Sequence, residues 1–310
     1  MRKICITIFM GLILLGFVLT GVYARDHSTK IETRKFEFSG EKRLTVKMDI
    51  GAGKIDLGRN QTGDILNAEV EYDPDDVRVD INYNRIKDEG KLYLETKAKH
   101  DGLHLDKNDN VWNLEFSDKI PINFDIDIGA CEANFDFTGL LIDQLDMDLG
   151  ASSVEIEFRK PNSQRISEIN IDVGASKLTI NGLGNSNFDQ LSFDGGVGDF
   201  TLDFSGDFSA RGGQTTARLG GSAFGRKHRA DVDIEIGMGS LTILIPRDFG
   251  VQIRSESSFL SSISIDEDEF EEIEDDLYES ENFGKTDKEL VFNIEVGLGT
   301  VKVEYIDSSL

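Results

Sequence analysis

Cysteine is nearly absent: Cys5 and Cys131 are the only two among 310 residues. Cys5 falls in an apolar N-terminal stretch, so the rest of the chain has one thiol and cannot close an internal disulfide. Its stability has to come from a core large enough to do without staples. A reactive Cys131 would need a base beside it. The residue fills a turn position held elsewhere by Gly or Ser, and it reads as a small side chain in a turn. Proline is scarce, four in all, so strands can run unbroken. Trp112 is the only tryptophan and reads as an ordinary strand residue. The histidines are His27, His100, His104 and His228. His100 and His104 stand four apart, but they fall in a polar loop from Lys97 to Asn110, where helical spacing has no meaning for a metal. No nucleophile elbow, phosphate loop or paired-cysteine zinc pattern occurs. What remains of an enzymatic reading is an analogy: parallel β-helices can be polysaccharide lyases or hydrolases.

Basic residues are also in deficit. The chain has 33 Lys and Arg against 58 Asp and Glu, a formal charge of −25. Such a field repels nucleic acid and anionic lipid headgroups. Beyond residue 22 no apolar run is long enough to cross a bilayer. The one that is stands at the start: Arg2 and Lys3, then the uncharged Ile4 to Val22, then Tyr23-Ala24. That order is a secretory signal, with cleavage expected after Ala24. The stretch approaches the ~20 residues that span a bilayer, so an uncleaved N-terminal anchor is the alternative. Cys5 stands at the start of the apolar run, not after it, and cannot head a lipoprotein. The expected location is outside the cytoplasm, in the periplasm or at the cell surface, with membrane contact only through the N-terminal segment if it is retained.

What is abundant is one tight turn between two strand-patterned arms. It reads Met48-Asp49-Ile50-Gly51-Ala52-Gly53-Lys54-Ile55 at first appearance. It returns as Ile126-Asp127-Ile128-Gly129-Ala130-Cys131, Met147-Asp148-Leu149-Gly150-Ala151-Ser152 and Ile171-Asp172-Val173-Gly174-Ala175-Ser176, and again around Gly196, Gly237 and Gly297. The leading glycine can supply a positive φ or a sharp bend. The arms alternate apolar and polar residues, as in Ile122-Asn123-Phe124-Asp125-Ile126-Asp127-Ile128, which buries one face. A fixed internal period signals stacked units. The fold class expected is all-β: a β-solenoid, parallel β-helix-like, of strand-corner-strand coils. The long step from Gly196 to Gly237 leaves room for a degenerate coil at Leu219-Gly220-Gly221-Ser222-Ala223-Phe224.

Two stretches depart from the period. Between about 60 and 120, Ala68 to Tyr72, Val77 to Ile81, Lys91 to Leu94 and Trp112 to Phe116 are strand-like, with turn signals at Asp73-Pro74 and Asp88-Glu89-Gly90. They read as an antiparallel N-terminal extension that caps the stack. Residues 266–281 hold eleven acidic residues and no basic one. Phe270, Ile273, Leu277 and Tyr278 are spaced for one helical face, so an acidic amphipathic helix or a mobile loop is expected there. The division that follows is 1–24 signal or anchor, 25–35 flexible tail, 36–120 capping β region, and 121–308 solenoid with an acidic insertion at 266–289.

The repeated corners, the block from Asn67 to Tyr72 followed by Asp73-Pro74, and the segment Trp112 to Pro121 leading into Asp127-Ile128-Gly129-Ala130 together resemble the toast-rack family. That family is related to the C-terminal domain of cell-wall-active antibiotic response proteins and, more loosely, to head-type adhesins of bacterial envelopes. The resemblance runs from about residue 36 to 306. It implies the solenoid fold and supplies no catalytic residues. Its antibiotic-response branch implies an accessory regulator of an envelope-stress sensor kinase as one alternative function.

An acidic residue precedes each corner glycine by two: Asp49, Asp127, Asp148, Asp172, Asp194, Glu235 and Glu295. In a stack these would recur at ~4.8 Å, repel one another and raise one another's pKa. Hydrogen bonding and water exposure offset this in a bland reading. In a sharper one, Asp127, Asp148 and Asp172 form a cation edge offering the oxygen ligands that Ca2+ prefers. A calcium roll is not indicated, because Phe200 stands where the turn Asp of that repeat belongs. The reading that results is a non-enzymatic, exported bacterial envelope protein presenting a rigid acidic β-solenoid surface for binding or adhesion. Its partner would be an envelope protein, a surface glycan or another copy of itself. Regulation of the envelope-stress response and glycan-active catalysis are the alternatives.

Overall fold

The alternating arms fold as strands almost throughout. The computed structural model describes residues 29–99, 110–208, 228–257, 261–266 and 268–307. The signal segment, His27, His100, His104 and the expected coil at Leu219–Phe224 lie outside the described residues. Seventeen strands follow in chain order: β1 (Lys30–Phe36), β2 (Arg43–Arg59), β3 (Leu66–Tyr72), β4 (Val77–Ile86), β5 (Glu89–Ala98), β6 (Asn110–Phe116), β7 (Ile122–Asp136), β8 (Ile142–Leu149), β9 (Ser153–Glu157), β10 (Ile166–Asn181), β11 (Phe188–Asp203), β12 (His228–Pro246), β13 (Gly250–Ser257), β14 (Ser261–Ile265), β15 (Phe270–Glu274), β16 (Leu277–Ser280) and β17 (Lys288–Ile306). Among the described residues one 3-10 turn, Leu183–Ser186, interrupts them.

Parallel pairing stacks these strands into nine coils. Each coil has an incoming arm, a corner, an outgoing arm and a return turn. β2, β7, β10, β11, β12 and β17 each bend through a corner as one strand. The pairs β5/β6, β8/β9 and β13/β14 each supply a coil in two pieces. The stacking order is β5/β6, β2, β7, β8/β9, β10, β11, β12, β17, β13/β14. Chain order and stacking order therefore part company at both ends. β2 lies between β5/β6 and β7, and β17 lies between β12 and β13/β14.

The alternation sends one set of side chains between the two sheets of arms. Inward ladders run the length of the stack. One is Leu94, Met48, Ile126, Met147, Ile171, Phe193, Ile234, Ile294. The facing ladder is Trp112, Ile55, Ala133, Val154, Leu178, Phe200, Leu241, Val301, Ile263. All but Ile263 are 4% exposed or less. Phenylalanines close the return-turn side: Phe116–Phe124, Phe124–Phe137 and Phe137–Phe158 have ring centroids 5.2, 5.4 and 5.5 Å apart. Burying one side chain of this size stabilises by about 2 kcal/mol, so a core this continuous does without disulfides.

Several expectations are corrected. The coil around Gly51 belongs to the stack, and so does β5/β6, so no boundary at 120/121 separates cap from solenoid. What caps is smaller: β4 lies antiparallel on β5, β3 on β6, and β1 on β3. No coil intervenes between Gly196 and Gly237, because β11 pairs directly with β12, Phe193 beside Ile234 and Phe200 beside Leu241. The acidic insertion is neither helix nor loop. β15 and β16 form an antiparallel hairpin, and β16 pairs antiparallel with β13, Ile253 opposite Tyr278. Asp276 takes φ 61 in its turn. A helix this short has no stable nucleus in water, whereas the free edge of β13 offers backbone partners. Phe270 gains a stacked contact with Tyr305, centroids 5.0 Å apart.

Candidate functional site

The corners bring three rows of residues to one side of the stack. The first is Gly51, Gly129, Gly150, Gly174, Gly196, Gly237 and Gly297. None of these has a positive φ, which corrects the conformational reason expected for them. The demand is space. A Cβ on Gly129 would sit 2.4 Å from the carbonyl oxygen of Gly51, and one on Gly150 2.8 Å from that of Gly129. The same clash recurs to Gly297, 2.7 Å from the oxygen of Gly237. Gly51 is the exception, with nothing within 4 Å among the described residues.

Two positions on stands a row of small residues, Gly53, Cys131, Ser152, Ser176, Gly198, Gly239 and Gly299. Here positive φ does appear, at Gly53, Gly239 and Gly299 (150, 137 and 137°). Ser152 and Ser176 join through their hydroxyls at 2.9 Å, and Ser176 donates to the Gly150 carbonyl at 2.7 Å. Cys131 is fully buried among them with its Sγ 3.5 Å from the Ile50 carbonyl. At the N-terminal end Asn110 donates to the Ala52 carbonyl at 2.6 Å and accepts from the Trp112 indole at 2.9 Å. Between the two rows the side chains point outward: Ala130, Ala151 and Ala175, then Val197, Met238 and Leu298.

The acidic row is longer than the sequence motif indicates. Register places Glu95, Asp49, Asp127, Asp148, Asp172, Asp194, Glu235, Glu295 and Glu256 side by side, one on each of the nine coils. Glu95 and Glu256 escape the sequence pattern because no glycine follows either by two; Lys97 and Ser258 stand there. Partial burial, then the charges of Asp148, Asp49 and Asp125, push the Asp127 carboxyl above the usual aspartate value. Asp172 is raised by partial burial and by Asp194 and Asp148, and Asp146 by partial burial, Asp125 and Asp172. Among the described residues no three His, Cys, Asp or Glu side chains gather as a metal site. Asp127, Asp148 and Asp172 thus stand in line on successive coils without converging into a cage.

A concavity of about 550 Å3 lies on the outer face of the outgoing arms β6, β2, β7 and β9. Its outward side chains come from two neighbouring rows. One is Asn113, Asp56, Asn134 and Glu155; the other is Glu115, Gly58, Asp136 and Glu157. Arg59 and Arg159 flank them. Gly58 sits in the middle with no positive φ, and a Cβ added there would meet nothing within 4 Å. Neither conformation nor packing requires a glycine at this position; its effect is to leave the floor of the groove as bare backbone. The carboxylates are held by donors. Asn134 donates to Asp56 at 2.9 Å, Asn181 to Glu155 at 3.1 Å, and Arg159 to Asp136 at 2.7 Å and also to Glu157. The sequence pattern does not reveal this groove; Gly58 is its one trace, a glycine inside an alternating strand.

His228 is the one histidine among the described residues. It is 2% exposed and stacked on Phe208 with centroids 3.9 Å apart, with Nε2 at 3.2 Å from the Phe188 carbonyl. No helix among the described residues is long and apolar enough to cross a membrane.

The family whose model matches is described as the N-terminal domain of toast_rack, DUF2154, over residues 24–181. Solved structures are also similar. A "putative cell adhesion protein" from Clostridium sporogenes is 18% identical, aligns over 90% of this chain and 100% of its own, and has a TM-score of 0.46. A "putative adhesin" from Bacteroides fragilis is 12% identical over 90% and 99%, TM-score 0.40. Another from Parabacteroides merdae is 12% identical over 89% and 96%, TM-score 0.38. No curated protein matches.

Proposed function

Since this chain belongs to the toast-rack family, we propose that it is an exported, non-enzymatic envelope protein that binds a hydroxyl-rich surface glycan on the rigid outer face of its β-solenoid. The observation that carries this reading is the groove around Gly58. Carboxylate, amide and guanidinium groups line it in two rows, and sugar hydroxyls both donate and accept hydrogen bonds. The groups are fixed on paired strands, so little order has to be imposed on binding. Five carboxylates in one groove are also what a glycan-active enzyme would need. Four of them, however, already serve as acceptors for Asn134, Asn181 or Arg159, an arrangement suited to holding charge and geometry. The formal charge of −25 disfavours nucleic acid. Export rests on the N-terminal segment, Arg2 to Ala24.

Gly58→Leu tests the reading. The new side chain meets open space, so the melting temperature should hold or rise slightly, because glycine weakens a strand interior. Binding to purified envelope polysaccharide, followed by calorimetry, should fall at least tenfold. Unchanged binding in Gly58→Leu would overturn the assignment of the groove, and release of reducing ends from the polysaccharide would replace binding with catalysis.

A further inference from the structure

The two ends of the stack are unlike in charge and alike in carrying backbone edges. At one end the outermost strands are β1 on the outgoing face and β4 on the incoming face. Among the described residues β1 pairs only with β3 and β4 only with β5. At the other end the outermost strands are β14 and β15, which pair only with β17 and β16. β1 carries Lys30, Arg34 and Lys35 against Glu32, and β4 carries Arg78 and Arg85 against Asp80. Both are net basic in a chain of charge −25. β15 carries Glu271, Glu272 and Glu274 and no base, its turn adds Asp275 and Asp276, and β14 is uncharged. Three of the exposed large apolar side chains lie on these same strands: Ile31, 61% exposed, Ile86, 57%, and Ile273, 49%.

We infer that the chain associates head to tail with further copies of itself, the basic end strands β1 and β4 of one copy docking on the uncharged β14 and acidic β15 of the next. Strand direction is compatible. β1 runs with the coils, since two antiparallel steps separate it from β6, and would extend β14 in parallel. β4 runs against the coils, β15 with them, so they would meet antiparallel. Unpaired strand edges are templates for another chain, and charged side chains on an edge normally block that use. Here the block is selective. Basic end against basic end, or acidic against acidic, places like charges together, whereas the mixed contact neutralises them; the same residues supply attraction and exclusion. A contact between two different surfaces builds a ring only where successive rotations close; a contact made end on end repeats along the stack axis and propagates.

Sedimentation of the exported chain over a concentration series reads this directly. The expected result at physiological ionic strength is a mass that rises past two chains without a plateau. Molar salt should reverse it, because the end charges act over about a Debye length, ~8 Å at that ionic strength and ~3 Å at 1 M. Reversing one end, with Arg34→Glu and Arg78→Glu together, should leave single chains. Reversing the other, with Glu271→Lys and Glu274→Lys together, should do the same. Mixing the two variants should restore assembly, which also shows that both are folded. A wild-type mass of one chain throughout, a plateau at a closed dimer, or assembly of either variant alone to the wild-type extent would overturn the inference.

Discussion

At Gly129 a missing methyl group is structural in a way that Gly51 is not. Their local sequences are nearly the same, Asp-Ile-Gly-Ala in both. Only the neighbour differs: Gly129 lies against the carbonyl of Gly51, and Gly51 has no such neighbour within 4 Å among the described residues. Gly129→Ala is therefore expected to lower stability by about 2 kcal/mol, the scale of overpacking a closed interior. Gly51→Ala should change it by less than half of that. Paired denaturant titrations decide; equal losses would show that backbone conformation, not contact with the next coil, selects the glycine. This distinction is not legible in the sequence, where all seven corners look equivalent. The small row two positions on is legible as small, and Cys131 fits it as another short side chain. That Ser152 and Ser176 join hydroxyl to hydroxyl depends on which coils touch, which a single strand does not declare. Nothing in the sequence marks Glu41. It is 2% exposed; burial alone would raise its carboxyl, but donors from Ser39 and Tyr83 outweigh that and leave it at about 2.

At the scale of the strand, the acidic row opposes the pairing that builds it. Like charges directly opposite one another on adjacent strands are unfavourable, and Asp127 and Asp172 of this row, with Asp146 two residues before Asp148 and opposite Asp125, have folded-state pKa values above the ordinary one. A raised acid pKa means the folded chain binds protons more tightly than the unfolded chain. Stability from these groups thus falls as pH rises through the raised value and returns on acidification. Glu41 acts with the opposite sign. Its contribution is full above the unfolded value of 4.5 and is lost as pH falls toward about 2. Melting temperature should accordingly climb as pH drops from neutrality toward the carboxylate range and then collapse below it. Asp172→Asn should stabilise at neutral pH by about 0.5 kcal/mol and flatten the climb. A melting temperature that falls steadily from neutrality downward, or an unaffected Asp172→Asn, would show that the row is already compensated. The row's existence is legible from the motif, but its extent is not, since no glycine stands two residues after Glu95 or Glu256. The hairpin of β15 and β16 escapes the sequence for a related reason. Helical spacing of Phe270, Ile273, Leu277 and Tyr278 is a local signal, whereas the edge of β13 that recruits β16 is distant in sequence.

At the scale of the whole molecule, period and alternation identify the class of fold because both are properties of every coil. They do not give the order of stacking: an alternating strand declares which face is buried, not which strand lies beside it. The consequence at the C-terminal end is testable. β17 is paired on both sides, with β12 and with β13 and β14. A chain ending before Lys288 should lose protection across β13 to β16 while β2 to β11 stay folded, since each coil of a solenoid depends chiefly on its neighbours. Limited proteolysis that instead preserves β13 to β16 as a resistant fragment would make that end an independent unit.

The intercalation of β2 and β17 also bears on how such a molecule could become longer. A chain that simply ran from one end of its stack to the other could gain a coil at either terminus by adding sequence there. In this chain each outermost coil is clamped by a strand from nearer the terminus, so a segment appended after β17 would find both adjacent layers taken, and one placed before β1 would meet the edge of a single outgoing arm, not a whole coil. New length has to enter between β7 and β12, where chain order and stacking order agree. Duplication of an interior unit such as β10 would extend the rod and leave both of its ends unchanged.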